Sequence, residues 1–264
     1  MLMTNFLQKR KSVRNFTENV VPKDILENIK LLMAEIDESE SDVKFTFYEN
    51  GKIISDGLDG KAGYDGVMIK SPHYIALEIK DNNAINLLKG GFYLEKLNTK
   101  IVDLHVDTCW ITVDQVDADT KKTIFGQGGE GIDFLIGLGY GAKKKLFDPE
   151  VTSPRLKVED IIFKDNIGIP ISIEELENYG IFDVFSSVRY APSHKNLQPW
   201  RFVLEGHTVK AFMVKTVEDS RSFVDMGVVL FYVQEMMKSI NINNKWEVEI
   251  KEDGDYYYIG SFNI

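Results

Sequence analysis

The segment Met226 to Ile240 is apolar on nearly all sides, with Val228, Val229, Leu230, Phe231, Tyr232, Val233, Met236 and Met237. A helix of this kind must be covered all round. A bilayer does not provide the cover, because the longest unbroken apolar run, Val228 to Val233, is far short of the ~18 residues a spanning helix needs. The segment is therefore predicted to lie centrally between two halves of a folded protein. The 264-residue chain is 44% hydrophobic, which supplies such a core. Met1 to Phe16 is polar and basic and does not read as a secretory signal. With 31 Lys+Arg against 41 Asp+Glu the formal charge is −10, so nucleic acid is not an expected partner. The single cysteine, Cys109, excludes an intrachain disulfide, and one cysteine with four scattered histidines has no metal-ligand spacing. A reducing cytoplasm fits this composition.

Ile25, Leu26, Ile29, Leu32 and Met33 follow Pro22 and Asp24 at helical spacing, which predicts a helix from about Lys23 to Ile36. Val43 to Tyr48 alternates as a strand, and Glu49-Asn50-Gly51 reads as a hairpin turn with a paired strand after it. Gly57 to Gly66 reads as loop, Tyr74 to Ile79 as strand, and Asp81-Asn82-Asn83 opens a long helix bearing Leu94, Leu97, Ile101 and Leu104. Lys122 to Phe125 and Phe134 to Leu138 read as short strands, and Pro149 to Pro154 as irregular chain. The second half repeats this order in outline. Leu176-Glu177-Asn178 echoes Leu26-Glu27-Asn28, and Gly227, Leu230, Val233, Met237 and Ile240 echo Gly91, Leu94, Leu97, Ile101 and Leu104. The predicted fold class is α+β, with two pseudo-repeated halves.

Four segments could carry chemistry. Gly126-Gln127-Gly128-Gly129-Glu130-Gly131 has the spacing of a dinucleotide-binding loop, but a strand-like run follows it where a helix should open, so it reads as a turn. Lys143 to Lys145 reads as a solvated face. Arg10-Lys11-Ser12-Val13-Arg14 places two arginines and a hydroxyl within one short stretch. Such a set can surround a phosphate dianion, and spacing alone leaves a solvated basic segment equally open. The segment Tyr190 to Phe202 is more constrained. Pro192 and Pro199 hold its backbone, while Ser193, Asn196 and Gln198 offer the neutral donors and acceptors that a heterocycle with mixed polar edges requires. A structural turn is the alternative.

Arg10-Lys11-Ser12-Val13-Arg14, taken with Ala191-Pro192-Ser193, Asn196 and Gln198-Pro199-Trp200, resembles the FMN-dependent nitroreductase family. Gly91, Leu94-Glu95-Lys96-Leu97 and Thr108-Cys109-Trp110 resemble its internally duplicated, single-chain branch. Gly137-Leu138-Gly139-Tyr140 and Arg155 to Ile161 are similar to the stretch that ends the family's first module. The resemblance runs from Arg10 to about Trp246.

The resemblance implies a nitroreductase-like fold over residues 1–264, one domain made of two halves. The half at about 1–165 carries the phosphate clamp, and that at about 166–264 carries the Ala-Pro-Ser loop. Ordinary members build two flavin sites between two subunits, so one chain of this kind would imitate the dimer, hold one FMN and need no second copy. Arg10, Lys11, Ser12, Arg14 and Arg155 would face the phosphate and ribityl end, and Pro192, Ser193, Asn196 and Gln198 the ring or ribityl. The implied activity passes hydride from NAD(P)H through FMN to a nitroaromatic, quinone or similar small molecule. A flavin-binding protein without efficient turnover is the alternative, motivated by one departure: Ile111-Thr112-Val113 stand where the family often has a glycine pair.

Overall fold

The computed structural model of the chain describes residues 7, 11–63, 67–143 and 153–264. Two compact units are formed. One comprises Lys11–Asp81 with Leu94–Glu150, and the other Met1–Arg10, Asn82–Tyr93 and Val151–Ile264.

In the first unit, helix α1 (Lys23–Ser39) starts after Pro22 and buries Leu26, Ile29, Met33 and Ile36, the three-and-four-residue stripe that its sequence predicts. Strand β1 (Val43–Tyr48), helix α2 (Gly51–Leu58), strand β2 (His73–Ile79), helix α3 (Ala84–Asp103), strand β3 (Asp107–Thr112), helix α4 (Ala118–Phe125) and strand β4 (Ile132–Gly139) follow. The part of α3 up to Tyr93 belongs to the second unit. The strands form an antiparallel sheet in the order β1-β2-β4-β3. One face packs on a core that includes Ile54, Leu58, Tyr74, Cys109, Ile111, Val113 and Leu135.

Two expectations fail here. Asn50 does not sit in a hairpin turn; its side chain accepts from Lys52 N–H at 3.2 Å and caps α2. Asn serves both turns and N-caps, and the apolar step Ile54 to Leu58 decides for helix. Lys122 to Phe125 is likewise the end of α4, which Asp117 caps by accepting from Thr120 N–H at 2.8 Å. Gly126 and Gly128, at φ 90° and 89°, then make the turn expected before β4. Cys109 is a buried thiol, a packed small side chain.

His73 is 2% exposed. Its Nε2 accepts from Val21 N–H at 3.1 Å, so Nδ1 carries the proton and donates to Glu49 O at 2.7 Å. Burial lowers its pKa. The neutral ring stabilises the fold fully above about pH 6.5, and that contribution is lost as pH falls through the range below it. A fall in the urea midpoint between pH 7.5 and 5.5 is expected, bounded at about 1.4 kcal/mol, with no such component in His73→Asn. An unchanged pH slope in that variant would remove His73 from the account.

In the second unit, strand β5 (Ile162–Lys164), helices α5 (Ile173–Asn178) and α6 (Phe182–Val188), strands β6 (Trp200–Glu205) and β7 (Thr208–Val214), helix α7 (Asp219–Ser239) and strands β8 (Glu247–Asp253) and β9 (Tyr256–Asn263) follow in order. The sheet runs β5-β6-β7-β9-β8, with β5 parallel to β6 and the other pairs antiparallel. Without β5, the two sheets have matching strand orders, β1-β2-β4-β3 and β6-β7-β9-β8, each exchanging its last two strands; helices α2 and α4 between the paired strands of the first unit have no counterpart in the second.

Helix α7 is buried on all sides from Ser222 to Gln234, as its composition requires. It begins earlier than the apolar run, because Asp219 accepts from Thr216 N–H at 2.6 Å and turns the chain into the helix. Phe231 meets Phe92 of α3 edge to face at 5.5 Å. Two glycines bring these helices to backbone contact: a Cβ at Gly91 would lie 2.8 Å from Val224 C, and one at Gly227 would lie 2.7 Å from Phe92 N. The contact is reciprocal. Gly91 faces Val224 O and Gly227 faces Leu88 O, and both residue pairs are related by the step that carries 91 to 227 and 88 to 224. Among the described residues no helix is long and apolar enough to cross a membrane, and none form a group that could hold a metal ion.

Candidate functional site

The basic segment is laid across one end of the first sheet. Val13 N–H donates to Thr108 O at 2.9 Å, Thr17 N–H to Tyr140 O at 2.8 Å, and Ala142 N–H to Asn15 O at 2.8 Å. Gly139 permits this, since a Cβ there would meet Pro72 Cγ at 2.6 Å and Phe16 Cδ1 at 3.3 Å. The pinned backbone leaves Lys11 and Arg14 exposed and Ser12 half-buried. Arg10 lies outside the described residues. Two exposed cations and a hydroxyl on a fixed backbone match the chemistry of a phosphate dianion.

The second predicted segment belongs to the other unit. It leaves α6, passes the buried Ala191 and half-buried Pro192 and Ser193, and makes a tight turn at His194–Asn196 before β6. Lys195, Asn196 and Gln198 have φ of 48°, 58° and 49°. Three non-glycine residues in the left-handed region cost roughly 1–2 kcal/mol each and persist only where the surroundings over-determine them.

Those surroundings are polar and specific. Ser193 Oγ accepts from Gln198 N–H at 3.0 Å. Gln198 Oε1 accepts from Leu156 N–H at 2.9 Å, while its Nε2 donates to Pro154 O at 3.3 Å and Asn196 O at 3.2 Å. Asn196 Nδ2 donates to Pro154 O at 2.8 Å, and its Oδ1 accepts from Arg155 Nη1 at 2.6 Å. The same Nη1 reaches Ala191 O at 3.1 Å. The structure thus gathers Arg155, Ser193, Asn196 and Gln198 into one network within this unit.

On the other side of the turn stands the start of α7. Both carboxyl oxygens of Asp225 lie 3.0 Å from His194 N, whose N–H donates to them. Asp225 is 5% exposed, and burial pushes its pKa up to about 8. Glu218 Oε1 accepts from Lys195 Nζ at 2.8 Å, and Arg221 Nη1 lies 2.7 Å from His194 Nε2. The hydrogen bond from Lys195 holds Glu218 below the usual carboxylate range.

Sequence reasoning missed Asp225 and the partners of the amides, Pro154 and Leu156. A signal for Asp225 existed: a carboxylate directly before an all-round apolar run must be buried, and buried carboxylates are seldom idle. The departure at Ile111-Thr112-Val113 also has a structural reading. Ile111 ends as β3 packing and Val113 as core, 3% and 1% exposed, places where β-branched residues suit a pleated surface.

Comparison with known proteins places the chain in a family. Residues 3–237 match the profile of a family described as "Putative TM nitroreductase", and the chain belongs to that family. A structure titled a "putative nitroreductase" from Thermotoga maritima is 19% identical with a TM-score of 0.60, over 98% of this chain and 93% of that one. At that identity the likeness speaks for the fold. Nitroreductase A from Vibrio parahaemolyticus is 15% identical over 68% of this chain and 82% of its own, with a TM-score of 0.49. A Bacteroides fragilis nitroreductase with bound FMN is 16% identical over 57% and 94%, with a TM-score of 0.43. No protein of curated function matches the sequence. The mixed α+β architecture and the nitroreductase-type oxidoreductase class follow from the family match.

Proposed function

We propose that this protein is an FMN-dependent NAD(P)H oxidoreductase of the nitroreductase type, working in the cytoplasm. The observation that carries the reading is the pinned segment Lys11–Arg14. In a nitroreductase-family chain it offers cations and a hydroxyl without an apolar role. FMN, when bound, supplies the hydride relay from the nicotinamide to a nitroaromatic, quinone or similar acceptor. The residues of the chain anchor and orient. Lys11, Ser12 and Arg14, with Arg10, would neutralise the phosphate. Pro192 and Ser193 would line the ring or ribityl, on a turn whose backbone Arg155, Asn196 and Gln198 hold. Chemistry supplied by FMN would ask this chain for anchoring and orientation rather than for an acid–base pair.

The chain is read as an internal duplication that imitates a two-subunit member and holds one FMN as a monomer. The shared strand order of the two sheets and the reciprocal contacts of Gly91 and Gly227 support this.

The test is the double variant Arg10→Ala/Arg14→Ala. Wild type purified with FMN is expected to be yellow and the variant colourless, with FMN affinity lowered roughly 100-fold or more for two lost phosphate contacts. A yellow double variant would reject the clamp. Anaerobic addition of NADH or NADPH then separates turnover from binding alone. Prompt bleaching supports the enzyme. Persistent colour would favour a flavin-binding protein, the reading that buried Ile111 and Val113 favour over glycines.

A further inference from the structure

The turn that precedes β6 is the most strained backbone among the described residues, with left-handed φ at Lys195, Asn196 and Gln198. Of its two amide side chains, Asn196 is half-buried and Gln198 buried. Gln198 is 6% exposed, and both N–H donors of its Nε2 are used, on Pro154 O and Asn196 O. Its Oε1 is taken by Leu156 N–H. Asn196 spends one donor on Pro154 O and its oxygen on Arg155. A side chain so engaged has little to offer a ligand, because each bond it already makes would have to be broken first.

We propose that the segment Pro154–Leu156 is a clasp that sets the shape of the Ser193–Gln198 turn, and that Asn196 and Gln198 are positioning residues that act on the cofactor by holding this shape. The proposal rests on the flavin reading above and gives these two amides a holding task in place of the ring contacts that the family resemblance implies. The clasp crosses a long stretch of sequence and bonds the turn through backbone groups of Pro154 and Leu156, which any side chain there would leave in place. Its strength therefore lies in the amides and in Arg155. The groups the turn keeps for a ligand are then those the clasp does not use, among them the hydroxyl proton of Ser193, whose oxygen already accepts from Gln198 N–H. A released turn would relax out of the left-handed region, moving Ser193 and Pro192 together, and affinity would fall by the fraction of time the turn is in the competent shape.

Amide hydrogen exchange in the full chain, with and without added FMN, tests this beside FMN titration. Gln198→Leu and Asn196→Ala are expected to raise exchange at Leu156 and at His194–Gln198 about 10-fold or more and to weaken FMN by a similar factor. Gln198→Glu keeps the oxygen that accepts from Leu156 N–H, so it should retain more protection at Leu156 than Gln198→Leu does. Ser12→Ala should weaken FMN while leaving that exchange unchanged. If Gln198→Leu fails to fold, Asn196→Ala and Gln198→Glu carry the comparison. Unchanged exchange in these variants, or faster exchange with undiminished affinity for FMN, overturns the proposal. Wild-type protein that takes up no FMN would overturn the flavin reading and the cofactor half of this proposal, while the exchange data would still decide whether the clasp exists.

Discussion

Gly227→Ala is expected to lower stability by about 3 kcal/mol or more, because the added methyl meets the main chain of another helix. Ordinary overpacking costs roughly 1–3 kcal/mol when neighbouring side chains can shift. At Gly227 the obstacles are Leu88 O and Phe92 N, the latter 2.7 Å from the new Cβ, and neither can rotate away. The gain in helix propensity, about 1 kcal/mol, is the smaller effect. For a chain of this size the melting temperature should fall by roughly 6–12 °C. Gly91→Ala, aimed at Val224 O, should do the same. The double variant should cost less than the sum, since helices parted by one methyl have room for the second. Thermal and urea denaturation measure all three, and wild-type stability in either single variant would disprove the close crossing.

Asp225→Asn should remove the pH dependence of stability that the buried acid imposes. With a folded pKa of about 8 against an unfolded value near 3.8, the native state holds the extra proton between those limits. Stability from this group is therefore complete below about pH 4 and lost as pH rises towards 8. The groups that face the carboxyl are His194 N–H, which favours the ionised form through its hydrogen bond, Arg221, which also favours it, and Glu218, which opposes it. Asparagine keeps an oxygen for His194 N–H and does not titrate. Relative to wild type, the variant should gain on the order of 2 kcal/mol between pH 5 and pH 7, at up to about 1.4 kcal/mol per pH unit. Urea midpoints across pH 5 to 8 decide it, and parallel curves for the two proteins would place the Asp225 proton elsewhere.

Much of the architecture was legible because periodicity is local. The apolar stripe of α1, the alternation that opens β1 and the all-round apolar character of α7 each follow from residues within a few turns. Errors came where one residue type serves two structures. Asn50 suits a turn or a cap, and Lys121–Lys122 shows no stripe because Lys121 is buried in an ion pair with Asp133 at 2.6 Å. The site divided in the same way. Which residue types could serve a phosphate or a heterocycle was readable from side-chain chemistry, whereas the destinations of Asn196 and Gln198 were not.

From its sequence alone this protein was determined to be an α+β chain whose last long helix is interior, with a basic segment near one end and an amide-rich turn near the other. Those properties depend on hydrophobic spacing and on the chemistry each side chain carries wherever it goes. Only the tertiary structure decided that the amides bind Pro154 and Leu156, that Asp225 meets His194, and that Gly91 and Gly227 let two helices touch. Hydrogen-bond partners and steric contacts are distances between residues far apart in the chain, and such distances exist only once the chain is folded.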